Sequence, residues 1–222
     1  MPRHLHREVA KIRSRILALG SVVEDTVGRA VLSVERRDAD LAAHIIEDDY
    51  NIDMEEVAIE EECLKVLALY QPVAVDLRYL VALLKINSDL ERVADLAVNI
   101  AERTSFLASR DITSIPFDFL GMAEKARAML RHSLDALVNM DARLAHQVRQ
   151  ADDEVDALDH RMHEIVKSSL RNAPEEVDYL IHMLFVSRHL ERIADHATNI
   201  AEDVIYMIDG DIVRHVPEDF SA

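Results

Sequence analysis

Tryptophan is absent from this 222-residue chain, cysteine occurs once, glycine four times and proline five times. The lone Cys63 has no partner for an internal disulfide, which excludes a disulfide-stapled scaffold and fits a reducing compartment. So few glycines and prolines leave few places for the chain to turn, which excludes a fold of many short strands. Positive charge is also scarce: 25 Lys and Arg stand against 42 Asp and Glu, for a formal net charge of −17. Such a chain is repelled by phosphate backbones and anionic lipid. Nucleic acid is therefore excluded as a partner, and a membrane is reached only through other proteins. No apolar run approaches the roughly 18–20 residues that span a bilayer, and the opening MPRHLHREVAK lacks the apolar core of a secretory leader. The expected location is cytoplasmic.

What is present is helical amphipathicity and an internal repeat. Half of the residues are hydrophobic and 30% are charged, a mix suited to long helices with Ala, Leu, Ile and Val inside and charge outside. The run LERVADLAVNIAE at 90–102 returns as LERIADHATNIAE at 190–202, with ten of its thirteen positions identical. A repeat of this kind sets the architecture before any local reading.

Helical spacing of apolar residues predicts a first helix over about 5–36, through Val9, Ile12, Ile16, Leu19, Val23 and Val27. Asp38 is the expected N-cap of a second, with Leu41, Ile45, Ile52, Val57 and Leu64 on its inner stripe. Pro72 ends it. A third runs from about Val73 past Glu102, with Leu77, Leu80, Leu84, Val93, Leu96 and Ile100 inward. Residues 104–117 mix Ser, Thr and Pro without a period and read as a linker. The second half repeats the plan: a helix over about 117–140, one capped by Asp141 that reaches about Arg171, and one that starts near Pro174 and ends at Gly210. The expected fold is all-α, two pseudo-symmetric antiparallel three-helix bundles, with domains 1–108 and 109–222.

The acidic residues fall into register on this frame. Glu91 and Asp95, and in the second copy Glu191 and Asp195, lie four apart and so share a helix face. Asp49 with Asp53, and Asp152 with Asp156, repeat the spacing on the preceding helices. In an antiparallel hairpin, residues at one level are equidistant from the turn. Asp49 with Asp95, and Asp53 with Glu91, are both centred on Pro72. Asp152 with Asp195, and Asp156 with Glu191, are both centred between 173 and 174, beside Pro174. Each half thus brings four carboxylates to one surface, provided both pairs face the same way. Such an oxygen-rich site suits Mg, Ca, Mn or Fe. Asn99 and Asn199 continue the face and are candidate ligands, as are Glu102 and Glu202 one turn on. Two readings without metal stand beside this one. The pairs are simply solvated, or Arg92 and Arg192 neutralise them. His196, present only in the second copy, distinguishes the two sites at most. His182, His189 and His196 recur every seven residues, most simply on a partly exposed helix flank. No Glu is followed three residues later by His, as di-iron bundles require, and no phosphate loop or nucleophile elbow occurs.

The run QPVAVDLRYLVALLKINSDLERVADLAVNIAE at 71–102 resembles the first signature of the PhoU family, and HLERIADHATNIAEDVIYMIDGDIVRH at 189–215 resembles the second. IEDDYNIDMEEVAIEEECL at 46–64 fits as well. The resemblance covers nearly the whole chain, in the family's order and spacing. It implies a non-enzymatic accessory and regulatory protein of bacterial high-affinity phosphate transport, commonly a homodimer, that represses the phosphate-starvation response. The implied partners are the ATP-binding subunit of the phosphate ABC transporter and the sensor histidine kinase of the response. Some members carry multinuclear metal clusters on E/D-x-x-x-D motifs, which fall here on Asp49, Asp53, Glu91, Asp95, Asp152, Asp156, Glu191 and Asp195. The metal, Fe, Mn, Mg, Zn or Ca, is left open. One departure is Ala94, where the first repeat often has Gly. The competing expectation is a metal-dependent or metal-storing bundle that hydrolyses phosphate compounds.

Overall fold

The computed structural model describes residues 3–109, 117–172 and 176–213. The described residues form six helices: α1 (Arg3–Arg36), α2 (Ala39–Tyr70), α3 (Val75–Ala108), α4 (Phe119–Asn139), α5 (Ala142–Asn172) and α6 (Val177–Asp209). The ends follow local chemistry. Asp38, Asp118 and Asp141 each accept a hydrogen bond from the backbone N–H three residues on, at 2.9–3.0 Å, which satisfies a donor with no partner inside the helix. Gly210 closes α6 in the left-handed conformation at φ 85°. The expected role of Pro174 falls outside the described residues.

Helices α1, α2 and α3 pack on one another, as do α4, α5 and α6. The two sets meet where α3 lies along α6 and α1 crosses α4, and the buried apolar side chains of all six form one continuous core. Gly20 permits the α1–α4 approach, since a Cβ there would stand 2.9 Å from a Leu134 methyl.

Three local expectations are corrected. On α2 the buried stripe is Ala42, Ile45, Ile52, Ile59, Cys63 and Val66, whereas Val57 and Leu64 are exposed. Each lies five residues beyond a buried position, more than a third of a turn round the helix. Leu77 is exposed near the start of α3. Thr104 is not in a linker but fully buried inside α3, where its hydroxyl meets Ser33 Oγ of α1 at 2.9 Å. Its polarity is satisfied by another helix, which local composition does not reveal.

Candidate metal-binding carboxylate ladders

The α2–α3 and α5–α6 hairpins set the level-matched carboxylates against one another. Burial, then the charges of Asp53 and Asp95, push the Asp49 carboxyl up to about 6. Glu91 is raised by burial, then by Asp95, with Asp53 and Glu56 adding to it and Arg92 opposing. In the second half, burial, Asp195 and Asp156 push Asp152 up to about 6. Glu191, almost completely buried, is driven up to about 7 by burial and Asp195, with smaller contributions from Asp159 and Asp156. Asp195 is raised by burial and by Asp156. Desolvation and like charge act in the same direction at these carboxyls. Every cross-helix couple, 49 with 95, 53 with 91, 152 with 195 and 156 with 191, is therefore close enough for its members to repel.

Arginine compensates in part. Arg92 spans Glu91 at 3.4 Å and Asp95 at 3.2 Å. In the second half the partner is Arg188 rather than Arg192, at 2.7 Å from Glu191 Oε1. Asp49 Oδ1, Asp152 Oδ1 and Glu191 Oε2 are buried outside hydrogen-bond geometry with any described residue, though the nearby Thr198 hydroxyl slightly opposes the rise at Asp152. As placed, no three His, Cys, Asp or Glu side chains among those residues converge closely enough to hold one metal ion.

The two asparagines part company. Asn99 donates to its own helix at Asp95 O, 2.8 Å away, whereas Asn199 points across the α3–α6 seam toward Asp89 Oδ1 at 3.5 Å. Glu202 is held by Arg149 at 3.4 Å, and Glu102 is exposed.

Sequence reasoning missed the next rung. Glu56 accepts from the buried Asn87 amide at 2.8 Å, and the buried Asp159 accepts from Ser187 Oγ at 2.8 Å. Both lie about one turn beyond the ladder couples and within half a residue of the same hairpin centres, so one more turn of level-matching comes close to them. The histidine row is partly exposed, as expected, and the side it presents faces α3. His182 stacks on Phe106 of α3 with ring centroids 3.8 Å apart, and His196 Nδ1 lies 2.8 Å from Asp89 Oδ1, also on α3. His189 has neither ring nitrogen hydrogen-bonded among the described residues, and burial with Arg103 and Arg192 pushes it down to about 4. These residues mark the α3–α6 seam, a contact between repeats that single-helix periodicity does not encode.

These features define a class: an all-helical, two-repeat bundle with an acidic ladder on the outer hairpin of each repeat. The sequence profile of the PhoU domain matches residues 16–104 and 119–204. The chain belongs to the PhoU family. It is 36% identical over 211 residues to the phosphate-specific transport system accessory protein PhoU homolog of Aquifex aeolicus, covering 95% of this chain and 96% of that one. It is 35% identical to the homolog of the same description from Pseudomonas putida, over 96% and 84% of the two chains. The crystal structure of PhoU from Pseudomonas aeruginosa superposes with a TM-score of 0.88 at 34% identity, over 93% of this chain and 99% of that one. The phosphate transport system regulatory protein PhoU from Streptococcus pneumoniae gives 0.87 at 28% identity, over 94% and 99%.

Proposed function

We propose that this chain is a non-catalytic regulator of bacterial phosphate uptake and of the phosphate-starvation response. In this reading it is a cytoplasmic homodimer of two-repeat subunits, with repeats at 1–108 and 109–222. It docks between the ATP-binding subunit of the phosphate ABC transporter and the sensor histidine kinase. The names of its relatives support the transport role. Divalent or trivalent cations held at the two ladders would complete it. Asp49, Asp53, Glu91 and Asp95, and Asp152, Asp156, Glu191 and Asp195, are the residues that would hold them. Asn99 and Asn199 stand at the edge of each set. Bound cations would supply charge neutralisation to carboxylates that burial and repulsion otherwise strain.

The observation that carries this reading is the set of buried carboxylate oxygens left outside hydrogen-bond geometry with any described residue at matched levels of both hairpins. An oxygen-rich cluster of raised pKa suits a hard cation, which would take the place of the protons once side-chain rotation draws a third carboxylate within reach. The test replaces Glu91 and Asp95 by Ala, followed by elemental analysis and pull-down with the kinase and transporter subunits. Loss of bound metal and weaker capture are expected. Metal content and capture both equal to the unsubstituted protein would dispose of the reading.

A further inference from the structure

Helix α2 has two apolar faces. One is the buried stripe described above. The other consists of Ile46, Tyr50, Met54, Val57 and Leu64, which step by four, four, three and seven residues and so line one side of the helix. All five are exposed, Tyr50 to 67% and Met54 to 52%. Packing among the described residues does not account for them.

The second repeat provides an internal control. Its inner stripe on α5 matches that of α2: Ala42, Ile45, Ile52, Ile59 and Cys63 correspond to Ala145, Val148, Val155, Met162 and Val166, all buried. The outer positions differ. Ile46, Tyr50, Met54, Val57 and Leu64 correspond to Arg149, Asp153, Ala157, His160 and Lys167. The fold therefore does not require an apolar outer face on this helix, and the first repeat alone carries one. Contiguous exposed apolar surface of this kind marks an interaction site.

Charge selects the occupant. Helix α2 carries ten acidic residues and a single lysine, Lys65. Glu60 and Glu61 are exposed beside the stripe, and Glu47 lies exposed at its upper end, none of them a ladder residue. A second copy of this chain would bring the same acids face to face, and an anionic lipid surface would be repelled. We propose that the outer face of α2 docks an amphipathic helix of a partner protein, with an apolar stripe flanked by Lys and Arg. Apolar side chains at i, i+4, i+8 and i+11 match the anchor spacing of such a helix, and the flanking carboxylates set its register. The inference rests on the reading of the chain as a docking protein and is independent of any metal on the ladders.

The test uses a fluorescent synthetic three-heptad peptide, with Leu at two positions of each heptad and Lys or Arg elsewhere, at physiological salt. Affinity is compared between the unsubstituted chain, a Tyr50→Ser, Met54→Ser, Val57→Ser variant, and an Asp153→Ser, Ala157→Ser, His160→Ser control on α5. All the replaced residues are exposed, and helicity and melting temperature confirm that each variant folds. The α2 variant is expected to bind at least about tenfold more weakly, the α5 control unchanged. Equal weakening in both variants overturns the proposal, as does equal binding of a scrambled peptide of the same composition, because attraction would then be charge alone. Self-association of the unsubstituted chain that disappears in the α2 variant overturns it in favour of a second copy. Binding to phosphatidylserine vesicles that disappears in the same variant overturns it in favour of a membrane. The Glu91→Ala, Asp95→Ala protein reports separately: peptide affinity lost only on α2 substitution, with bound metal unaffected, supports the docking face whatever the fate of the ladders.

Discussion

At the scale of single residues, the ladders have a pH signature whose sign follows from their environment. Asp49 and Asp152 titrate near 6 and Glu191 near 7 in the folded chain, against ordinary values of 3.8 and 4.5. Between those limits the folded state holds protons that the unfolded state has released. The stability these groups contribute is complete below about pH 4 and is lost as pH rises through about 6 to 7. The metal-free protein is therefore expected to melt at progressively lower temperature across that window. An Asp49→Asn, Asp152→Asn, Glu191→Gln variant is expected to show a flatter profile. Melting curves at half-unit pH steps check this, and parallel profiles for the two proteins would show that the shifts carry no stability. The same residues show what sequence can reveal. Their level in the hairpin follows from helix rise and turn position alone, so the couples were legible. The Arg188 contact to Glu191 and the turning of Asn99 onto its own backbone were not, because both depend on rotamers that only packing selects.

At the scale of elements, the helices were legible where punctuation was local. Asp38 and Asp141 cap the helices that begin just after them, and Gly210 closes α6. Removing one cap gives a simple expectation. Asp141→Ala leaves the Leu144 N–H without its side-chain acceptor and is expected to cost about 1 kcal/mol, measured by urea denaturation. An unchanged midpoint would mean that water replaces the cap without loss. The failures share a cause. Val57 and Leu64, seven residues apart, keep helical spacing with each other but not with the core residues, and they stand on the outer face of α2, because that helix is apolar on two sides. Periodicity identifies an apolar face but does not say which of two faces is buried. Thr104 failed in the reverse direction, as a polar residue whose partner is 71 positions away on α1.

At the scale of the whole molecule, the repeat in the sequence announces two equal halves, and the seam decides whether they behave as such. Helix α3 lies along α6, and polar contacts run the length of the contact. Lys85 Nζ reaches the buried Asp203 at 3.2 Å, the Arg78 guanidinium donates to Met207 O at 3.2 Å, and His196 meets Asp89. Apolar residues from all six helices join one core beneath them. Separating the halves would return that surface to water and strip the Asp203 carboxylate of its lysine. Neither half is then expected to outlast the other. Heating should give one transition with equal calorimetric and van't Hoff enthalpies, as for a single cooperative unit. Lys85→Ala places the test on the seam itself. It removes the Lys85 ammonium, 3.2 Å away, from a carboxylate only 1% exposed, at an expected cost of about 1–3 kcal/mol. Because the seam ties the halves together, the transition should move to lower temperature as a whole. A Lys85→Ala thermogram that splits into two peaks would instead show that each three-helix repeat carries its own stability and that the seam only holds them side by side.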